Sequence, residues 1–124
     1  MLLLQIWTAF AHPFQSMAIV LQAQRKLGEA MSMFEEAMQI AKSNFGSEHP
    51  SVAKTLYNMA IVADKRQQQE TAKDLILQSH AIFRVAGLVD QIVNSVADFT
   101  TQYGYDHELT VFARKAASWV QESD

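Results

Sequence analysis

Cysteine is absent from the 124 residues. That excludes disulfides, thiolate metal sites and cysteine nucleophiles, and says nothing about compartment. An excess of basic residues is absent too: ten Lys and Arg stand against thirteen Asp and Glu, for a formal net charge of -3. No basic patch stands out, and sequence-independent binding to nucleic acid requires one, so that class is excluded. No apolar run approaches the roughly 20 residues that span a bilayer. Met1-Leu2-Leu3-Leu4 has the look of a signal sequence. No basic residue precedes the apolar stretch, however, Gln5 interrupts it, and His12-Pro13 is not a small-x-small cleavage site. The expectation is a short N-terminal docking helix over 1–12, or the last helix of a neighbouring repeat, carrying Leu2, Leu3, Leu4, Ile6, Trp7 and Phe10. Gly28 and Gly46 are isolated, so no glycine-rich phosphate cradle exists around them. Charge is scarce, at 19% of residues against 49% apolar, which hints that a partner covers part of the surface.

What is present is a repeat. Ser16-Met17-Ala18-Ile19-Val20 returns as Asn58-Met59-Ala60-Ile61-Val62, about 42 residues later. The same step carries Glu29-Ala30 onto Thr71-Ala72, Phe34 onto Ile76 and Ala37 onto Ser79. A tandem unit of this size implies stacked helices that bury their faces against one another. The fold class expected is all-α, a superhelical array of antiparallel helix hairpins with about six or seven helices.

Apolar periodicity places those helices. The first spans about 13–25, with Phe14, Met17, Ala18 and Leu21 inward, and Pro13 sits in its first turn. The second spans about 28–43, with Ala30, Met33, Phe34, Ala37, Ile40 and Ala41 inward. Gly46 stops it and Pro50 starts the third, about 50–66, which packs through Val52, Leu56, Met59, Ala60 and Ala63 with Tyr57 nearby. The fourth, about 69–84, turns Ala72, Leu75, Ile76, Ser79 and Phe83 inward. Small Ala30 and Ala72 let paired helices approach, and Phe34 and Ile76 fill the space one turn on. After Gly87 the period loosens. A fifth helix, about 88–102, shows Leu88, Ile92, Val96 and Phe99, and Ala97 is the expected counterpart of Ala18 and Ala60. The link before it is shortened by about five residues relative to the repeat period. Asp106 is the expected N-cap of the last helix, about 107–121, which turns Leu109, Phe112, Ala113, Ala116 and Val120 inward. The units read as 13–45, 49–84 and a degenerate third at 88–121, in one domain.

Chemistry is hard to find. His12, His49, His80 and His107 form no close pair, and the second histidine of a zinc-protease signature is missing at Val111. His12 and His49 precede prolines at helix starts and read as caps; His80 reads as a partly exposed helix residue. Glu35 and Glu36 point in different directions on a helix, unsuited to joint acid–base work, and read as a solvated face. Met33 reads as core, and Met31 and Met38 as core or as an adaptable contact surface. Trp7 and Trp119 lie near the two ends, where each caps the stack or anchors a neighbouring protein. No cofactor and no metal are expected.

The unit resembles the tetratricopeptide repeat, in the long form found in kinesin light chains. That family has asparagine-leucine-alanine in the first helix, matched by Asn58-Met59-Ala60 and by Ser16-Met17-Ala18. Its second helix opens near Glu29-Ala30 and continues to Phe34 and Ala37. Its leucine-glycine-x-x-histidine-proline-x-valine-alanine ending is matched by Phe45-Gly46-Ser47-Glu48-His49-Pro50-Ser51-Val52-Ala53. Tyr103-Gly104-Tyr105-Asp106-His107-Glu108-Leu109 looks like a decayed copy, with Glu108 in the place of proline. Gln67-Gln68-Gln69 lacks the glycine usual in the turn within a repeat. The resemblance implies a concave groove lined by first helices, in which asparagines hold a ligand backbone. Asn58 is then the leading groove residue, with Lys54, Tyr57 and Ser16 near it, while Ser16 and Ser95 stand where further asparagines are expected. The expected work is protein–protein interaction without catalysis, as a small subunit or scaffold of a larger assembly that uses Leu3, Trp7 and Trp119 at its ends. A peptide-binding adaptor using the groove is the alternative, and an enzyme with a site gathered from separate helices is the least favoured. A cytoplasmic location is the expectation.

Overall fold

The computed structural model describes residues 12–104 and 107–122. Within them the chain forms six α-helices and no strand. They are α1 (His12–Ala23), α2 (Leu27–Phe45), α3 (Pro50–Lys65), α4 (Gln69–Val85), α5 (Val89–Tyr103) and α6 (Glu108–Glu122). The possible seventh helix, over 1–12, falls largely outside the described residues.

Local chemistry accounts for the helix ends. Glu29, Glu70, Asp90 and Glu108 stand in first turns, and Lys42, Lys65 and Arg84 in last turns. Each charge complements the helix dipole at its end. Pro50 opens α3, and the ring of His49 caps it: His49 Nδ1 accepts the Ser51 N–H at 3.1 Å. His107 repeats this at α6, its Nδ1 accepting the Leu109 N–H at 3.1 Å. His107 therefore supplies the cap expected of Asp106, which lies outside the described residues, as does the side chain of His12.

Two kinds of connection join the helices. The short kind closes with an N–H bonded five residues back: Lys26 to the Leu21 carbonyl, Gln68 to Ala63, and Leu88 to Phe83, at 2.8–2.9 Å. In each, the preceding residue has positive φ: Arg25 at 66°, Gln67 at 61° and Gly87 at 75°. The long kind begins at a glycine with a nearly identical backbone, Gly46 at φ 91° and ψ 163° and Gly104 at φ 94° and ψ 160°. It ends on the capping histidine. The break expected between the helices at 13–25 and 28–43 is thus made one or two residues earlier, and Gly28 lies inside α2.

Burial follows the repeat in its centre. Ala30, Phe34, Ala37, Ala41, Ala72, Ile76 and Ser79 are fully buried. Ten of the sixteen residues of α3 are buried, so α3 is covered on more than one side. Its closest partner is α4, and Ser79 Oγ donates to the Ala53 carbonyl at 2.9 Å across that contact. α2 packs on α1 and α3, and α6 packs on α4 as well as on α5. Lys73 on α4 reaches Glu108 at 2.9 Å and lies 5.6 Å from the Phe112 ring centre. Leu109 and Ala113 of α6 join the same core as Ala18, Phe34, Leu56 and Ile76. A smaller cluster holds Ala53, Phe83, Ile92 and Ala117.

Several expectations are corrected. Met17 is not inward: it is 52% exposed, although Ala18 beside it is fully buried. Met31 is buried, whereas Met33 and Met38 are partly buried against the core. Ala97 is exposed and is not the counterpart of Ala18 and Ala60; among the described side chains of α5, Ile92 and Ser95 are buried. Leu88 is exposed. His80 is fully buried rather than partly exposed, and neither ring nitrogen has a hydrogen-bond partner among the described residues. The side chains of Phe14, Phe99 and Val120 lie outside the description.

Candidate partner-binding groove

The first helices of the second and third units, α3 and α5, flank a surface cavity of about 240 Å³. From α3 come Lys54, Tyr57 and Asn58, spaced so that all three fall on one side of the helix. From α5 come Gln91, Asn94, Ser95 and Asp98, and Phe83 of α4 contributes an aromatic wall.

The side chains differ in what they can do. Tyr57 is buried, and its hydroxyl donates to the Ser95 carbonyl at 2.8 Å, so it ties α3 to α5 and forms a fixed wall. Ser95 Oγ is committed as well, donating to the Gln91 carbonyl at 2.8 Å. Asn58 is half-buried, and Asn94 and Lys54 are exposed. Each asparagine amide offers a donor and an acceptor on one planar group. Lys54 and Asp98 give the cavity one charge of each sign. The cavity is smaller than the roughly 300–1,000 Å³ of small-molecule sites, and suits part of a segment lying across the surface.

Three of the four expected groove residues thus come together, and the fourth does not. Ser16 is exposed on α1 and does not line this cavity. Of the three end residues, Leu3 and Trp7 lie outside the described residues, and Trp119 belongs to α6 but its side chain lies outside them too. Sequence reasoning missed Gln91, Asn94 and Asp98. The asparagine sought at Ser95 stands one residue earlier, at Asn94, and the signal was an alignment displaced by one position. His49 is held by its cap and stacks on Phe45, with ring centres 4.3 Å apart. No group of three His, Asp or Glu that could hold a metal occurs among the described residues. No described helix is long and apolar enough to cross a membrane.

A comparison with curated proteins finds no match. The tetratricopeptide repeat family matches residues 10–84, which take in the first two hairpins short of only the last residue of α4. Paired antiparallel helices, the buried alanines at equivalent places and a polar cavity between first helices agree with that match, and the chain belongs to the tetratricopeptide repeat family, a family of protein-binding arrays.

Proposed function

We propose that this interaction module is an adaptor that holds an extended peptide segment of a partner across the α3–α5 cavity. The observation that supports the reading is the convergence there of Lys54, Tyr57 and Asn58 with Gln91, Asn94 and Asp98. An extended segment exposes backbone N–H and C=O groups at regular intervals, and asparagine amides can meet both. Tyr57, locked by its bond to the Ser95 carbonyl, keeps the two helices at a fixed separation, so little ordering is required on binding. The groove, not the ends of the array, carries this reading. A fixed subunit or scaffold would instead use residues such as Leu3 and Trp7. The long form of the repeat, with units of about 42 residues, is part of the proposal. The matching positions of Arg25 and Gln67, and the equivalent starts of α2 and α4, favour it.

Selection of a displayed random-peptide library on the purified chain tests the groove. The selected peptides should lose roughly tenfold or more in affinity to a variant carrying Asn58→Ala and Asn94→Ala. The circular dichroism of that variant should be unchanged. Peptides that bind the double variant as well as the unaltered chain would sink the proposal.

A further inference from the structure

The α3–α5 cavity is lined by one charge of each sign, and the structure pairs neither. Lys54 and Asp98 are both exposed where they line it. No hydrogen bond or ion pair joins either side chain to the other or to another described residue. The amides of Asn58 and Asn94 are likewise uncommitted among the described residues, whereas the hydroxyls of Tyr57 and Ser95 are spent on carbonyls. The groups left free to meet a ligand are thus two neutral amides and two opposite charges.

Two contacts fix how the helices lie. Ala53 of α3 shares a cluster with Ile92 of α5, and Tyr57, one turn on, bonds to Ser95, one turn on from Ile92. The two helices therefore run in the same direction and in step. Lys54 stands one turn before Tyr57, at the level of Ile92, and Asp98 stands one turn beyond Ser95. The charges lie at opposite ends of the cavity, on opposite helices. At about 1.5 Å per residue they are offset by about 9 Å along the axes, and helices side by side lie about 10 Å apart, so the diagonal is about 13 Å. An extended segment, rising about 3.3 Å per residue, covers that diagonal in about four residues, and residues four apart on a strand face the same side.

We infer that the groove selects its segment by charge order: an Asp or Glu side chain over Lys54 and, about four residues away, a Lys or Arg side chain over Asp98. This rests on the groove reading proposed above. A segment of one sign does not fit, because an acidic run gains at Lys54 and is repelled at Asp98, and a basic run the reverse. Between the two ends Asn58 and Asn94 meet the backbone without regard to sequence. The charges contribute selection more than affinity, since an exposed pair is worth little while a like-charge contact is rejected.

The probes are the library peptides that bind the full chain and are lost by the Asn58→Ala, Asn94→Ala variant, synthesised with a fluorophore and titrated by anisotropy at low ionic strength. They should carry one acidic and one basic residue about four positions apart. Lys54→Glu should weaken them roughly fivefold or more, and exchanging the peptide's acidic residue for lysine should restore affinity for that variant. Asp98→Lys should behave in the same way with a peptide whose basic residue is exchanged for glutamate. A residue that only supports the fold would give no such reciprocal rescue. Both positions are exposed, so the variants should keep their helical signal. Lys54→Gln or Asp98→Asn replaces one that does not, read as lost preference for the charged peptide over its neutral counterpart. Groove-dependent peptides without the paired charges would overturn the inference and leave the groove standing. So would binding that both charge reversals leave unchanged, or losses that the exchanged peptides do not restore. If no selected peptide depends on Asn58 and Asn94, the groove itself fails and the charge order falls with it.

Discussion

Arg25 and Gln67 hold the left-handed conformation in the turns of the first two hairpins. A side chain there costs roughly 1–2 kcal/mol, because its Cβ crowds the following carbonyl. Both are exposed, so neither side chain is held by packing. Arg25→Gly and Gln67→Gly should each stabilise the chain by about 1 kcal/mol, once the greater freedom of glycine in the unfolded state is set against the relief. Urea denaturation of each variant checks this; destabilisation by either would show that the side chain has a partner in the folded state. His80 works in the opposite sense, since burial pushes its pKa down to about 4 from the usual 6.5. The folded state keeps the ring neutral while the unfolded state takes up a proton, so its contribution is intact above pH 6.5 and is lost as pH falls towards 4. Stability should fall by roughly 1 kcal/mol per pH unit across that window from this residue alone, and His80→Phe should flatten the slope. Urea midpoints at pH 7 and pH 5 make the comparison. The burial was legible: His80 lies four residues after Ile76 and three before Phe83, both inward. Its polarity hid it, since spacing says which face a residue occupies and not whether its nitrogens find partners there.

At the scale of the element, the order of connections departs from the repeat. The helices begin and end within about two residues of where periodicity places them, because caps, prolines and dipole charges are local signals. Alternation of short turns and long loops would put a long loop between α4 and α5. A short turn stands there instead, and the glycine-to-histidine loop lies inside the third hairpin. The loop was visible in the sequence as a decayed motif, but its consequence for α5 was not. The register of α5 is fixed by α4 and α6, and Ala97, chosen by sequence offset, faces out. The loop itself is built on a backbone that only glycine adopts readily, and nothing lies within 4 Å of a Cβ added at Gly46. Gly46→Ala should therefore cost about 2 kcal/mol, all of it from the backbone, and Gly46→Ser should cost nearly the same. A much larger penalty for serine would reveal a steric clash and refute this account. Calorimetric unfolding of the two variants gives the answer.

The whole molecule is a chain of neighbour contacts, so stability is expected to vary along it. α3 is covered on several sides and joined closely to α4, while α1 carries a bare face. The array was legible because the repeat forces it: a hairpin cannot bury its face alone. The way the third hairpin attaches was not legible. It is held chiefly by α6 on α4, through contacts such as Lys73 with Glu108, which carry no periodic signature. The Glu108 carboxylate also holds the Lys73 ammonium pKa above its usual value, and His107 Nε2 comes within 3.8 Å of the Asp64 carboxylate. Leu109, fully buried, sits in the main core with residues of α1 to α4, whereas Ile92 of α5 belongs to the smaller cluster. Leu109→Ala should cost roughly 2–5 kcal/mol. Since its cavity opens into the shared core, amide exchange should quicken in α3 and α4 as well as in α6. Ile92→Ala, whose cluster holds Ala53 of α3, Phe83 of α4 and Ala117 of α6, should quicken exchange chiefly in α5 and α6 and leave α1 and α2 near their starting rates. Hydrogen–deuterium exchange read helix by helix separates the two outcomes. If Leu109→Ala loosened the last hairpin alone, α6 would be an appendage on the array, not part of the core that holds the two sides of the groove.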